Sequence, residues 1–157
     1  MNLSELLRKG GVYHNISGST QKEAITNFTG VLPPLKTVTL QDLQKAILER
    51  ETLMSTSMGR GVAVPHPRNP IIESIDEQYV SIAFLKEPVD WNALDSNPVD
   101  TLILIVSANA KMHLEILSKI TYFCRDEGFK NLLDKKSSAD ILIKYITITE
   151  AQWKTGR

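Results

Sequence analysis

Residues 101–125, TLILIVSANAKMHLEILSKITYFCR, change period in the middle, and that change decides the fold class. The opening TLILIVS is a continuous apolar run rich in β-branched side chains, the pattern of a central strand covered on both faces. Beyond it the apolar positions take helical spacing. His113, Leu117, Ile120 and Cys124 fall on one stripe, with Ile116 and Phe123 beside it. A strand that needs cover on both sides and feeds a helix predicts an α/β domain, with helices on both faces of a small sheet.

The flanking sequence supports that class. GVAVP at 61–65 and QYVSIAFL at 78–85 are short β-rich runs bounded by turn residues, and VYHNI at 12–16 reads as another strand. Between 89 and 100, VDWNALDSNPVD has no clear period and reads as a loop or a short edge hairpin. Helices are expected over 2–9, stopped by Gly10 and Gly11, and over 20–30, with Ser19 or Thr20 as cap and Ile25, Phe28 and Val31 on one face. A third covers 40–51 behind Thr39, with Leu40, Leu43, Ile47 and Leu48 at helical spacing. GFKNLLDKK adds a short helix, and Ser138 can cap ADILIKYI. The pattern leaves strand order open.

Composition narrows the function classes. A chain of 157 residues suits one domain, taken as residues 1–157. Eighteen Lys and Arg balance eighteen Asp and Glu, which argues against nucleic-acid binding through a broad basic surface. MNLSELLRKGG turns polar too early for a signal peptide, and no apolar run is long enough to span a bilayer. The single cysteine, Cys124, can form neither an internal disulfide nor a multi-cysteine metal site; it reads as a small core hydrophobe in a cytoplasmic protein. Tyr79, Phe84 and Trp91 read as core or rim aromatics.

The three histidines differ in setting. His66 ends a strand-like run between Pro65 and Pro67, with Arg60 and Arg68 close by. The prolines stiffen its loop, and ligands of α/β domains gather at the carboxyl ends of strands. An imidazole nitrogen can attack a phosphoryl group whose oxygens pair with guanidinium groups. The alternative is a surface histidine on a proline-rich turn. His113 opens the helix after the central strand, a position that favours a neutral ring able to steady a neighbouring imidazole or a phosphate; it could equally be a satisfied, half-buried histidine. His14 lacks a supporting charge pattern and reads as structural, while Arg50, at a helix end, reads as solvated unless another feature recruits it. No HExxH, cysteine pair, GxSxG elbow, Walker A loop or dinucleotide fingerprint occurs.

Three elements then combine in order: GVAVPH at 61–66, PVDWNALDSNPVD at 88–100 and HLEILS at 113–118. Together they resemble the fructose, mannitol and nitrogen-regulatory branch of the phosphotransferase-system IIA family, over nearly the whole chain and most strongly from about residue 40 to 125. The resemblance implies a mixed-sheet α/β sandwich with helices on both faces. It implies that His66 accepts phosphate, that His113 lies beside it, and that Arg50 pairs with the phosphate; Arg68, Arg60, Ser107 and Asn109 are further candidates for phosphate contact. No cofactor or metal is required. The implied donor is HPr or its nitrogen-branch paralogue, and onward partners are a IIB domain's cysteine or regulatory target proteins. An apolar rim of Met54, Met58, Val62 and Val64 would meet the donor. Two departures stand out: Pro67-Arg68 replaces the small residue that many relatives carry after the active histidine, and Met112 replaces a threonine before the second one.

Overall fold

The computed structural model describes residues 2–154. In chain order the elements are α1 (Leu3–Gly10), β1 (Val12–Ile16), α2 (Gln21–Thr29), α3 (Leu40–Leu53), β2 (Ser57–Gly59) and β3 (Val62–Ala63), followed by β4 (Tyr79–Val89), β5 (Val99–Val106), α4 (Ala110–Arg125), α5 (Glu127–Asp134) and α6 (Ala139–Lys154). The strands form one mixed sheet in the order β1-β4-β5-β3-β2. β4 and β5 pair antiparallel at its centre, while β1 lies parallel to β4 and β3 parallel to β5.

Alternation along the two central strands builds two cores. Val80, Ile82 and Phe84 of β4 and Ile103 and Ile105 of β5 face α1, α4, α5 and α6. Tyr79, Ala83, Leu85, Leu102, Leu104 and Val106 face the opposite way, onto α2 and α3. A period of two along strands covered on both sides makes TLILIVS apolar throughout. Cys124 is buried in the first core, as its stripe predicts. α1 sits so close to the sheet that a Cβ on Gly10 would lie 1.9 Å from the Val80 carbonyl oxygen.

Local signals account for the helix starts. The Thr20 hydroxyl accepts from Glu23 N, and Thr39 forms a reciprocal capping box with Asp42. Val31 lies beyond the end of α2 and is exposed, and Leu32 takes the buried place instead. The strand expected over 61–65 pairs only at Val62–Ala63, while β4 runs on to Val89. Segment 90–98 joins the two central strands, which pair Val89 with Val99, so it is no edge hairpin. Trp91 anchors it in the second core: its carbonyl accepts from Ser55 Oγ at 2.6 Å and Gln21 Nε2 at 3.3 Å. α6 extends eight residues past the expected ADILIKYI (139–146). His14 packs on Phe84, and its Nε2 stands 2.9 Å from the Lys136 carbonyl oxygen, a structural placement.

Candidate functional site

β3 and β5 are adjacent and parallel, so the loop after β3 and the helix after β5 emerge at the same end of the sheet. Past the strand proper, Ile105 N donates to the Pro65 carbonyl at 3.2 Å, keeping the chain against β5 up to the residue before His66. His113 occupies the first turns of α4, whose start is fixed by Asn109 through its side-chain oxygen on Met112 N at 2.8 Å. The two imidazoles meet with ring centroids 4.7 Å apart and planes inclined by 42°.

A chain of polar contacts fixes the His66 loop from the other side. Buried Glu51, near the end of α3, accepts from both the N–H and the hydroxyl of Thr56 at 2.7 Å. Val64 N donates to the Thr56 carbonyl at 3.0 Å. The Val64 carbonyl in turn lies 2.7 Å from His66 Nδ1. A carbonyl oxygen only accepts, so Nδ1 carries the ring proton and the lone pair is left on Nε2. Nothing in the sequence flags Val64 for this part, because any residue type offers a carbonyl.

Arg50 stands in the last turn of α3, where a cation complements the helix dipole, and its Nη1 donates to the Met54 carbonyl at 2.7 Å. Burial lowers the pKa of His66 to about 4, with the charges of His113 and Arg50 adding to the effect and the Val64 hydrogen bond opposing it. Burial, then Arg50, also lowers that of His113. Both rings are therefore neutral at pH 7 beside a permanent positive charge. A neutral imidazole with a free Nε2, a second ring and a guanidinium are suited to receive a dianionic electrophile.

The remaining candidates separate. Arg60 pairs with Glu127 of α5 at 3.1 Å, so its guanidinium is engaged by the far helix. The Asn109 side-chain oxygen is committed to capping. Arg68 and Ser107 line a cavity of about 190 Å³ together with His113; His66 is not among its lining residues. Of the expected rim, Met54 is 71% exposed, Met58 is half-buried, and Val62 and Val64 belong to the core. Larger hollows lie along the outer face of α4 from Leu114 to Asp126 and between α2 and α3, at about 720 and 590 Å³. Neither is lined by a histidine, so the chemistry is located by the facing imidazoles and not by volume. Among the described residues no group of three or more His, Cys, Asp or Glu side chains gathers to hold a metal ion, and no helix is long and apolar enough to cross a membrane.

Comparison with known proteins identifies a matching family. The family described as "Phosphoenolpyruvate-dependent sugar phosphotransferase system, EIIA 2" matches residues 5–148. The fructose-specific EIIABC component of Bacillus subtilis is 32% identical over 148 residues, covering 90% of this chain but only 22% of that protein. The nitrogen regulatory protein of Pseudomonas aeruginosa is 27% identical over 149 residues, covering 93% of this chain and 95% of that one. The crystal structure of nitrogen regulatory protein IIA-Ntr from Neisseria meningitidis superposes with a TM-score of 0.73 at 26% identity, covering 91% of this chain and 97% of that chain. The IIA component in the Escherichia coli complex of enzyme IIAMTL with phosphorylated enzyme IIBMTL shares the fold, with a TM-score of 0.63 at 21% identity over 87% of this chain and 94% of that chain. The sandwich and the match over most of its length lead to one conclusion: the chain belongs to the EIIA 2 family of the phosphoenolpyruvate-dependent sugar phosphotransferase system.

Proposed function

We propose that this protein is a cytoplasmic phosphoryl carrier of the nitrogen-regulatory type, which accepts phosphate on Nε2 of His66 from phospho-HPr or its nitrogen-branch paralogue. The hydrogen bond from Nδ1 to the Val64 carbonyl carries the reading, because it leaves one nitrogen with a lone pair and aims it. The Nε2 lone pair attacks phosphorus in line, the N–P bond of the donor phosphohistidine breaks, and its electron pair stays on the donor ring. His66 becomes formally cationic with Nδ1–H retained, so its bond to Val64 gains charge assistance. Arg50 offsets the charge on the phosphoryl oxygens and His113 orients the accepting ring. One phosphohistidine replaces another, so positioning contributes more than driving force. Exposed Met54 beside Arg50 suits an apolar contact with the donor.

A second reading is passage of the phosphoryl group to a IIB cysteine. It is favoured by the 32% identity to a fructose-specific EIIABC component and by the fold shared with a IIA that is seen in complex with a phosphorylated IIB. Supplying phosphoenolpyruvate, Enzyme I and each donor in turn, with and without IIB domains, separates the readings. Rapid label uptake from the nitrogen-branch donor, retained in the presence of IIB, supports the first; discharge to IIB supports the second. No uptake from either donor by folded protein overturns both.

A further inference from the structure

The cavity of about 190 Å³ beside His113 is not lined by His66, and its other polar groups have no part in the phosphoryl transfer described above. Ser107 lines it and is only 7% exposed, yet its hydroxyl makes no hydrogen bond to a described residue. That hydroxyl is left available to a ligand's polar atom in the cavity. Arg68 lines the same cavity and forms no ion pair with a described residue. Ala110, the first residue of α4, also lines it, and its N–H has no acceptor within the helix. The first turn of α4 contains no acidic side chain to balance the positive end of its dipole. No Asp or Glu lines the cavity; Asn69 and the neutral His113 ring add no charge, so its net charge comes from Arg68 and favours an anion.

The rest of the lining is apolar, including Ile71, Val106 and Leu114. At roughly 30 Å³ per water-sized unit, the volume holds a ligand of about six non-hydrogen atoms. A phosphate dianion would place several oxygens against hydrocarbon and lose hydration without replacement. A single carboxylate facing Arg68 and Ser107, with a short carbon chain on the apolar wall, satisfies both halves of the site. We propose that this cavity binds a short-chain monocarboxylate, at a site distinct from the phosphoryl-accepting nitrogen. The proposal does not depend on phosphotransfer by His66.

Butyrate, with its uncharged counterpart butyramide as control, is the probe, followed by amide chemical shifts of the isotope-labelled full chain. Saturable shifts at Ser107, Ala110 and His113 are expected with butyrate at about millimolar affinity, and none with butyramide. Arg68→Ala and Ser107→Ala should each weaken binding by about tenfold, whereas His66→Ala should leave it unchanged. Equal shifts with butyramide, non-saturating shifts, or insensitivity to Arg68→Ala would overturn the proposal. Loss of binding in a folded His66→Ala variant would also overturn it, by making the cavity part of the phosphoryl site.

Discussion

Nδ1 of His66 lies 2.7 Å from the carbonyl oxygen of Val64, two residues back along the same chain. The contact ties the tautomer of the ring to the backbone of a stiff, proline-bounded segment, so the exposed chemistry of the loop is set by buried structure. Val64 is itself held by Thr56 and, through Thr56, by Glu51.

His66 is expected to titrate near pH 4, well below the ordinary histidine value of 6.5. Its folded pKa is lowered, so the unfolded chain binds the proton first on acidification. Its contribution to stability is complete above about pH 6.5 and is lost as pH falls from there toward 4. His113 shifts in the same direction and adds to the loss. Ring-proton shifts followed through acid titration check this; a His66 midpoint near 6.5 would show that the ring is neither desolvated nor facing Arg50.

Arg50→Ala removes a positive charge acting on both rings. Both histidine pKa values should rise. The phosphorylation rate should fall roughly 10²-fold, the scale of losing one preorganised charge-stabilising donor. Arg50→Lys keeps the charge and loses the planar fork, so an intermediate rate is expected. Rates measured at saturating donor, with titration of both rings, separate this from misfolding; an unchanged rate in Arg50→Ala would remove the residue from the site.

Glu51→Ala deprives the Thr56 N–H and hydroxyl of their acceptor inside the protein. Each orphaned group costs about 1–3 kcal/mol. Urea unfolding should therefore show a loss of that order, and the amide resonances of Val64 and His66 should broaden as their anchor loosens. Full stability with an unaltered His66 signal would mean that Glu51 does not support the loop.

Much of this fold is legible in the sequence because β4 and β5 obey one rule. Strands buried on both faces are apolar throughout, and their neighbours take helical period to supply the cover. Thr20 and Thr39 act locally, so their caps are readable too. β2 is not readable: it has three residues, and the turn after it passes through Gly59, Arg60 and Gly61, all at positive φ. Its pairing depends on β3 and on Asp95, which accepts from Arg60 N at 2.9 Å from 35 residues away. The site divides in the same way. Strand-end placement and flanking prolines draw attention to His66, whereas position at a helix start leaves His113 open between a ring-steadying role and a half-buried structural one. Arg60 lies nearer to His66 in sequence than Arg50 does, but a helix brought in by tertiary packing supplies Glu127 and engages its guanidinium.

Gly10→Ala tests the packing of α1 on the sheet. The added Cβ would fall 1.9 Å from Val80 O, which is backbone and cannot rotate away. A loss of about 1–3 kcal/mol or more is expected in thermal or urea unfolding, set against the gain in helix propensity that alanine brings. A neutral or stabilising result would mean that α1 sits further from β4.

The central claim is tested most directly by mapping the phosphoryl group after incubation with phosphoenolpyruvate, Enzyme I and the two donors. Wild type should carry acid-labile phosphate on the peptide containing His66, attached at Nε2; His66→Ala should carry none, and His113→Ala should still carry it at a reduced rate. Phosphate on His113, attachment through Nδ1 of His66, or unchanged labelling of His66→Ala would contradict the account.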